Sequence, residues 1–291
     1  MRRALDRVLA YGRMIRFSHS VFALPFALTA AALAARESGV SARQILWIVF
    51  AMVSARSAAM GFNRLVDHAL DARNPRTAGR ELPQGTVSRG EAWVFVAASA
   101  AGLLLAAAML NPLCLALSPL ALAIVFGYSY TKRFTAASHL FLGLSLAVAP
   151  VGAWLAIRGR LEPPPVVLAL AVLLWVAGFD TLYACQDLDF DRREGLRSLP
   201  ASLGVPRALA LARVMHVGTV LLLLLLFRLV PLHPLYLAGV TGVATILAWE
   251  HSLVGPSDLS QVMRAFNLNG WVSLGYFAVT AVSAWLAPLR N

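Results

Sequence analysis

The sequence predicts an all-α, polytopic membrane protein, on three observations. Of its 291 residues 59% are hydrophobic, and its mean hydropathy is +0.71, which soluble domains of this size rarely reach. Apolar runs of about 20 residues recur along the chain, and a helix of that length crosses a hydrocarbon core of ~30 Å. Basic residues gather in alternate loops. We therefore expect a single membrane domain, residues 1–291, with no soluble domain.

Nine apolar runs are long enough to be membrane-spanning helices. The first follows several arginines, but it is long, lacks a clear small-x-small cleavage site and precedes further runs. We therefore interpret it as a span and not as a signal peptide. Pro112 and Pro231 separate neighbouring runs. The runs cover roughly residues 18–36, 43–65, 91–109, 112–130, 137–157, 165–185, 206–228, 231–250 and 268–288.

The net charge of +11 is explained by membrane topology. If the N-terminus is cytoplasmic, most of the 25 Lys and Arg residues fall in the N-terminal tail and the even-numbered loops, as the positive-inside rule requires. We expect an integral protein of a bacterial inner membrane whose basic residues also meet anionic lipid. The pattern gives no reason to expect a nucleic-acid partner, and it indicates no particular protein partner or oligomeric state.

Two acid-rich segments, 63–71 and 180–191, interrupt this apolar chain. Their polar residues recur every four positions, which places them on one face of a helix. Carboxylates at that spacing repel each other and are costly near lipid, so a compensating cation is expected, and Mg²⁺ prefers carboxylate and phosphate oxygens. The residues at this spacing are Asn63, Asp67 and Asp71 in the first segment and Tyr183, Asp187 and Asp191 in the second.

The two segments form a weak internal repeat. Their aspartate pairs lie 120 residues, or four spans, apart, which returns the chain to the same membrane side. Each pair is followed by an Arg-x-Leu-Pro run, at 80–83 and 197–200. This pattern predicts two parallel four-helix halves plus a ninth helix, and repeat interfaces are where sites tend to form.

A third polar cluster, 128–133, ends the fourth span on the same predicted side and contains the only lysine of the chain, Lys132. Cations beside a carboxylate-bound Mg²⁺ are what a diphosphate requires. The sequence therefore predicts a diphosphate site with metal ligands Asp67, Asp71, Asp187 and Asp191 and with cations from Arg64, Arg76, Arg80, Lys132 and Arg133.

Arg56 lies inside the second span, where an arginine costs roughly 2.5–3.5 kcal/mol on insertion scales. Arg56 lies seven residues before Asn63 and Asp180 lies seven residues before Asp187, about two helical turns in each case, and we interpret Asp180 as the repeat-related acid. Two readings stay open: Arg56 pairs with Asp180, or Arg56 binds an anionic group of a substrate. His68, His139 and His251 lack metal-ligand spacing, and we expect them at the surface or the interface.

These residues resemble the UbiA superfamily of intramembrane aromatic prenyltransferases, over essentially the whole chain. Residues 63–71 are similar to the family's Asn-Asp-x-x-Asp-x-x-x-Asp, with Arg64 in place of the first aspartate. Residues 180–191 match Asp-x-x-Tyr-Ala-x-x-Asp-x-x-x-Asp, Tyr128 and Lys132 match Tyr-x-x-x-Lys, and residues 76–83 match Arg-Thr-x-x-Arg-x-Leu-Pro.

The resemblance implies Mg²⁺-dependent transfer of a polyprenyl group from its diphosphate to a ring carbon of an aromatic acid. It is closest to the 4-hydroxybenzoate polyprenyltransferases of quinone biosynthesis, where an arginine placed like Arg56 holds the carboxylate and Asp180 would deprotonate or orient the phenol. Residues 17–20 look instead like relatives that prenylate 1,4-dihydroxy-6-naphthoate for menaquinone. The implied substrate-binding residues are Arg16, Arg56, Asn63, Arg76, Arg80, Tyr128, Lys132, Arg133 and Tyr183.

An ion or phosphate transporter is the alternative from another class. Internal repeats, intramembrane charge and acidic clusters occur in transporters as well. A transporter would need a polar path on both membrane sides, but the predicted non-cytoplasmic loops are poor in acids. We therefore favour prenyl transfer. Tail length and the identity of the acceptor stay open at this point.

Overall fold

A computed structural model describes residues 10–15 and 22–288, and its regular elements there are helices. Besides a helical turn at 10–14, a 3₁₀ turn at Cys185–Asp187 and one isolated bridge between Gly255 and Asp258, the described residues form twelve α-helices. They are α1 (Leu24–Ser38), α2 (Ala42–Val66), α3 (His68–Arg73), α4 (Arg89–Leu110), α5 (Pro112–Thr131), α6 (Ser138–Arg158), α7 (Pro163–Ala184), α8 (Leu188–Arg193), α9 (Leu199–Leu203), α10 (Val205–Leu229), α11 (Leu235–Leu253) and α12 (Val262–Leu286).

Each of the nine predicted runs overlaps one long helix, so the all-α, polytopic prediction is confirmed. Within the described part of the chain, six helical segments are long and apolar enough to cross a membrane: α2, α4, α5, α6, α10 and the stretch 163–193 that contains α7. The other three runs coincide with α1, α11 and α12. The number of membrane crossings stays a prediction.

Local chemistry explains where several helices begin. Pro112 is the first residue of α5, where its missing N–H costs no intrahelical hydrogen bond. The same holds at α7, whose first turn begins with prolines. Ser88 caps α4 in a reciprocal capping box: its hydroxyl accepts from the Glu91 N–H, and the Glu91 carboxylate accepts from the Ser88 N–H.

Contacts group the chain into two compact units: residues 1–20 with 46–130, and residues 21–45 with 131–291. We call them the first and second units. Each contains one acid segment and its following loop. The prediction of a single domain over 1–291 stays a prediction.

In the first unit, α2 and α4 approach each other closely through small residues. A Cβ at Gly61 would lie 2.8 Å from Val96 Cγ2, and one at Gly102 would lie 2.9 Å from Ser54 Oγ. Such close backbone approach is how helices associate where lipid removes the hydrophobic drive between them. A buried apolar cluster of this unit includes Met14 and Leu65, together with Leu82, Val87, Ala92 and Val96.

In the second unit, α7 is the central helix and packs against α1, α6, α10 and α12. Its aromatic side chains form the core with those of α12 and of the residues that precede and begin α1. The Trp175 ring lies 5.0 Å from Phe26 and 5.1 Å from Phe179, and Phe179 lies 5.6 Å from Phe266. These ring contacts hold α7, and therefore the second acid segment at its end, in a fixed position.

Candidate active site

Both acid segments lie where a long helix breaks, and both breaks have the same backbone conformation. α2 ends immediately before Asp67, whose φ and ψ are −92° and 4°, and α3 follows. α7 passes through the 3₁₀ turn to Asp187, whose φ and ψ are −98° and 7°, and α8 follows. Both aspartates occupy the sparsely populated bridge region, which active-site residues often adopt. The shared geometry supports the repeat predicted from the sequence.

The first aspartate of the first segment is buried against an amide. Asp67 is 3% exposed, and its Oδ2 accepts a hydrogen bond of 3.1 Å from Asn63 Nδ2. The Asn63 amide also lies 3.5 Å from Ser129 Oγ, and its Oδ1 accepts from Arg64 Nη1 at 3.2 Å. The predicted Asn63–Asp67 pair is thus in direct contact on one helix face.

The second aspartate of that segment is neutralised by arginine. Arg80 Nη1 lies 2.7 Å from Asp71 Oδ1 and 2.8 Å from Oδ2, and Arg64 Nη1 lies 3.8 Å away. The Thr77 hydroxyl donates to the Asp71 carbonyl at 3.0 Å, which folds the 74–80 loop back onto α3. Arg80 uses only Nη1 for this carboxylate, and its buried Nε has no hydrogen-bond partner among the described residues.

The second segment has different neighbours at the equivalent positions. Asp191 Oδ2 accepts a 2.7 Å hydrogen bond from Ser198 Oγ. Arg197, the repeat counterpart of Arg80, instead donates to the Phe134 carbonyl at 3.0 Å. Its backbone N–H donates to the Lys132 carbonyl at 2.7 Å. Ser198 therefore replaces arginine beside this carboxylate.

Asp180 has a partner that the sequence did not reveal. His139 Nδ1 lies 2.7 Å from Asp180 Oδ2, and the imidazole is buried, with 3% of the residue exposed. The prediction that His139 lies at the surface or the interface is wrong, because the first turn of α6 packs against α7. No spacing rule connects residues 139 and 180. Only the packing of the two helices brings them together.

Arg56 and Tyr128 lie close enough to interact electrostatically within the first unit. In the second unit the Tyr183 ring packs 4.7 Å from Phe266. Arg76 follows Asn74, whose side chain accepts from the Arg76 N–H at 2.9 Å. Lys132 and Arg133 follow directly on the end of α5. Arg16 lies outside the described residues, as do residues 17–20.

Each acid segment by itself offers a pair of carboxylates. Within the described ranges no group of three or more His, Cys, Asp or Glu side chains is placed to hold a metal ion. The arrangement in each segment is thus two carboxylates on either side of a helix break, flanked by arginine in one segment and by a hydroxyl in the other.

Comparison with known proteins decides the family. The model of the UbiA prenyltransferase family matches residues 23–286. The chain belongs to this family. It is an integral membrane protein. Because similar relatives are named for an aromatic acid, 4-hydroxybenzoate, the protein is an aromatic prenyltransferase.

Individual UbiA relatives cover most of the chain. A 4-hydroxybenzoate octaprenyltransferase of Vibrio cholerae serotype O1 is 30% identical over 245 residues, which are 84% of this chain and 85% of that protein. The protein of the same name from Vibrio parahaemolyticus is 29% identical over 96% of this chain and 99% of its own length. These matches extend across both units described above.

Solved UbiA structures share the fold. The apo UbiA homolog of Aeropyrum pernix K1 has a TM-score of 0.84 and 36% identity, covering 91% of this chain and 98% of its own. The homolog of Archaeoglobus fulgidus bound to DMAPP and Mg²⁺ has a TM-score of 0.72 at 21% identity, covering 94% and 99%. The helical architecture of this chain is therefore that of the UbiA fold.

Proposed function

We propose that this protein transfers a polyprenyl group from a polyprenyl diphosphate to a ring carbon of 4-hydroxybenzoate in quinone biosynthesis, with Mg²⁺ as cofactor. The observation that carries the proposal is the pair of acid segments at matching helix breaks. The names of the relatives support the acceptor, and the DMAPP and Mg²⁺ of the Archaeoglobus fulgidus homolog support the donor and the metal.

The donor atoms of both segments fit Mg²⁺. This ion takes oxygen ligands, keeps several waters and is held by one or two carboxylates plus substrate phosphates. Asp67 and Asp71 would hold it in the first segment, and Asp187 and Asp191 in the second. When bound, Mg²⁺ would neutralise charge on the departing diphosphate.

Cationic side chains would bind the remaining diphosphate oxygens. Arg80 suits this role because Nη1 alone engages Asp71 and the buried Nε has no hydrogen-bond partner in the part of the chain described. A guanidinium can thus hold a carboxylate and a phosphate at once through its fork of donors. The proposed set is completed by Arg16, Arg76, Lys132 and Arg133, with polar contacts from Asn63, Tyr128 and Tyr183.

The acceptor is assigned to Arg56 and Asp180. Charged groups within a membrane span face a cavity or a partner, and the carboxylate of a hydroxyaryl acid is an anion that a guanidinium binds through two donors. In the reaction the allylic C–O bond breaks with its electron pair staying on the diphosphate, and a ring carbon ortho to the hydroxyl forms the new C–C bond. Asp180 would take the acceptor's proton. Exclusion of water by the surrounding apolar helices would protect the allylic cation from hydrolysis.

A second acceptor is supported by one sequence feature. Residues 17–20 resemble those of relatives that prenylate 1,4-dihydroxy-6-naphthoate for menaquinone. This acceptor also carries a carboxylate and an electron-rich ring, so Arg56 serves equally for it. Family membership favours prenyl transfer over the transporter alternative. We place the protein in the bacterial inner membrane, with its N-terminus and its active site on the cytoplasmic side.

The test is a product assay. Membranes containing the protein are incubated with Mg²⁺, a polyprenyl diphosphate and either 4-hydroxybenzoate or 1,4-dihydroxy-6-naphthoate, and the products are identified by mass. We expect a prenylated 4-hydroxybenzoate, absent from control membranes without the protein. Prenylation of the naphthoate alone would reassign the acceptor, and no prenylated product with either acid would refute the function.

A further inference from the structure

The buried imidazole of His139 sits between a carboxylate and a backbone amide. Its Nδ1 lies 2.7 Å from Asp180 Oδ2, and its Nε2 lies 3.3 Å from the backbone N of Leu199. All three residues belong to the second unit, on α6, α7 and α9. Both ring nitrogens of His139 on α6 therefore have hydrogen-bond partners, one on α7 and one on α9.

These two contacts determine which nitrogen carries the proton. The Leu199 N–H can only donate, so Nε2 accepts and is unprotonated. The ring is then the neutral tautomer with its proton on Nδ1, which donates to Asp180 Oδ2. A backbone amide thereby fixes both the tautomer and the orientation of the imidazole, as second-layer partners do for functional histidines.

Only one of the two oxygens of the Asp180 carboxylate is hydrogen-bonded by the described residues. Oδ2 is engaged by His139, whereas Oδ1 has no hydrogen-bond partner within residues 10–15 and 22–288. A quarter of the Asp180 side-chain surface is exposed, against 4% for that of His139. The histidine is thus the buried support, and the aspartate is the member of the pair that can meet a substrate.

The same backbone stretch also contacts the second acid motif. Ser198 Oγ donates to Asp191 Oδ2 at 2.7 Å, and the next residue, Leu199, donates to His139. Two consecutive residues of the Arg-Ser-Leu-Pro run therefore connect Asp191 with the His139–Asp180 pair.

We propose that His139 is a positioning residue for Asp180, an inference that rests on the proposed prenyl transfer. Its Nδ1–H holds Oδ2 so that Oδ1 receives the phenolic proton as the ring carbon bonds to the allylic carbon and the diphosphate leaves with the C–O electron pair. The resulting dienone loses the proton from that ring carbon and regains one at oxygen. Each turnover releases one diphosphate and one proton.

The test is a double-mutant cycle on the full-length protein in detergent. We compare wild type, His139→Leu, Asp180→Asn and the double variant for kcat and both KM values with 4-hydroxybenzoate. Because a positioned base contributes ~10²–10⁴ in rate, we expect kcat to fall by about 100-fold in Asp180→Asn and by about 10-fold in His139→Leu. The double variant should match Asp180→Asn, since His139 acts only through that carboxylate. The KM for the polyprenyl diphosphate should stay within about twofold.

Two further variants separate positioning from folding. His139→Gln keeps an N–H donor and a carbonyl acceptor, so it should recover to within about threefold of wild type, even if His139→Leu does not fold. His216→Gln is the matched control, because His216 is a buried histidine of the same unit that bonds Trp175 and His251 instead. Its kcat should stay within about twofold.

A second readout uses the acidity of the acceptor. With 3-fluoro-4-hydroxybenzoate, whose phenol is more acidic, the ratio of wild-type to His139→Leu kcat should shrink, because less help from the base is needed. A purely structural role leaves this ratio unchanged and would overturn the proposal, as would independent, multiplying losses in the double variant. If wild type forms no prenylated acid, the proposed function itself fails and the inference fails with it.

Discussion

At Arg64 an arginine replaces the first aspartate of the family motif, while the neighbouring aspartates of the segment are kept. It stands where the family motif that residues 63–71 resemble has an aspartate, and the structure buries it, with 5% of its surface exposed. Its Nε donates to the Met14 carbonyl at 3.2 Å, and its Nη1 contacts Asn63. Its Nη1 also lies 3.8 Å from Asp71, so the buried guanidinium already has several contacts within the protein, and the diphosphate contact predicted for Arg64 stays a prediction. Asp67 and Asp71 are left as the carboxylates of this segment.

At the same scale, Arg56→Ala tests the acceptor assignment. Loss of the guanidinium should raise the KM for 4-hydroxybenzoate at least about 10-fold, because the acceptor carboxylate loses its charged partner. The KM for the polyprenyl diphosphate should change by less than about twofold. Arg56→Lys should recover only partly, since an ammonium does not reproduce the planar two-point contact.

Steady-state kinetics of the folded, detergent-purified Arg56 variants provide both KM values. Equal damage to the two substrates together with a lower Tm would indicate a structural arginine. An unchanged KM for the acceptor and an unchanged kcat would remove the carboxylate role.

At the scale of elements, the helix breaks define the site. A continuous helix would keep Asp67 and Asp71 on one straight stripe, as the sequence spacing suggests. The break at Asp67 instead begins a short helix, α3, whose loop folds back so that Arg80 meets Asp71. The break at Asp187 does the same for α8, and Ser198 meets Asp191. The repeat therefore consists of a helix, a break, a short helix and a returning loop.

The connection between α6 and α7 gives a pH prediction. Glu162 accepts from Arg158 Nε at 3.1 Å, from Trp154 Nε1 at 2.9 Å and from Arg160 Nε at 3.0 Å. The hydrogen bond from Arg158 is the main reason that the pKa of Glu162 lies below its ordinary value of 4.5. A carboxyl with a lowered pKa stabilises the fold above its unfolded-state pKa, and this stabilisation is lost as the pH falls through the folded-state pKa.

We therefore expect the Tm in detergent to fall as the pH drops below about 4.5, with a smaller fall in Glu162→Gln than in wild type. The same slope of Tm against pH in Glu162→Gln and wild type would show that this network does not stabilise the connection.

For the whole molecule, the helices were predictable and most of the packing was not. Apolar runs and prolines predicted nine helical segments, because a chain in lipid must form long helices that make all their backbone hydrogen bonds internally. The acid pairs were also predictable, because their aspartates are spaced four residues apart. The His139–Asp180 contact did not, because it joins residues 41 positions apart through helix packing.

The same limit applies to a buried network of side-chain hydrogen bonds, which no sequence motif predicts. Asn269 accepts from Trp175 Nε1 at 2.6 Å and donates to Glu250 Oε1 at 3.0 Å. These residues come from α7, α11 and α12, and each alone looks like an isolated polar residue in an apolar run. Sequence patterns are local, whereas such partners are chosen by tertiary contacts.

Membrane orientation is the whole-molecule prediction of the charge pattern. After replacement of Cys114 and Cys185, a single cysteine is introduced at Gly79 or at Leu161, both exposed positions. Because the loop of Gly79 is predicted to be cytoplasmic, an impermeant thiol reagent on intact cells should spare Gly79→Cys and label Leu161→Cys. Labelling after cell lysis controls for reactivity. The reverse pattern on intact cells would invert the topology.

The central claim is that both acid segments serve one Mg²⁺-dependent prenyl transfer, and the rates of Asp67→Ala and Asp187→Ala test it most directly. Prenylated 4-hydroxybenzoate is measured by mass with Mg²⁺, after EDTA and after restored Mg²⁺, in folded variants and wild type. We predict that EDTA abolishes wild-type activity, that Mg²⁺ restores it, and that each variant loses at least about 100-fold in kcat. Wild-type activity in either variant, or undiminished activity in EDTA, would contradict the claim.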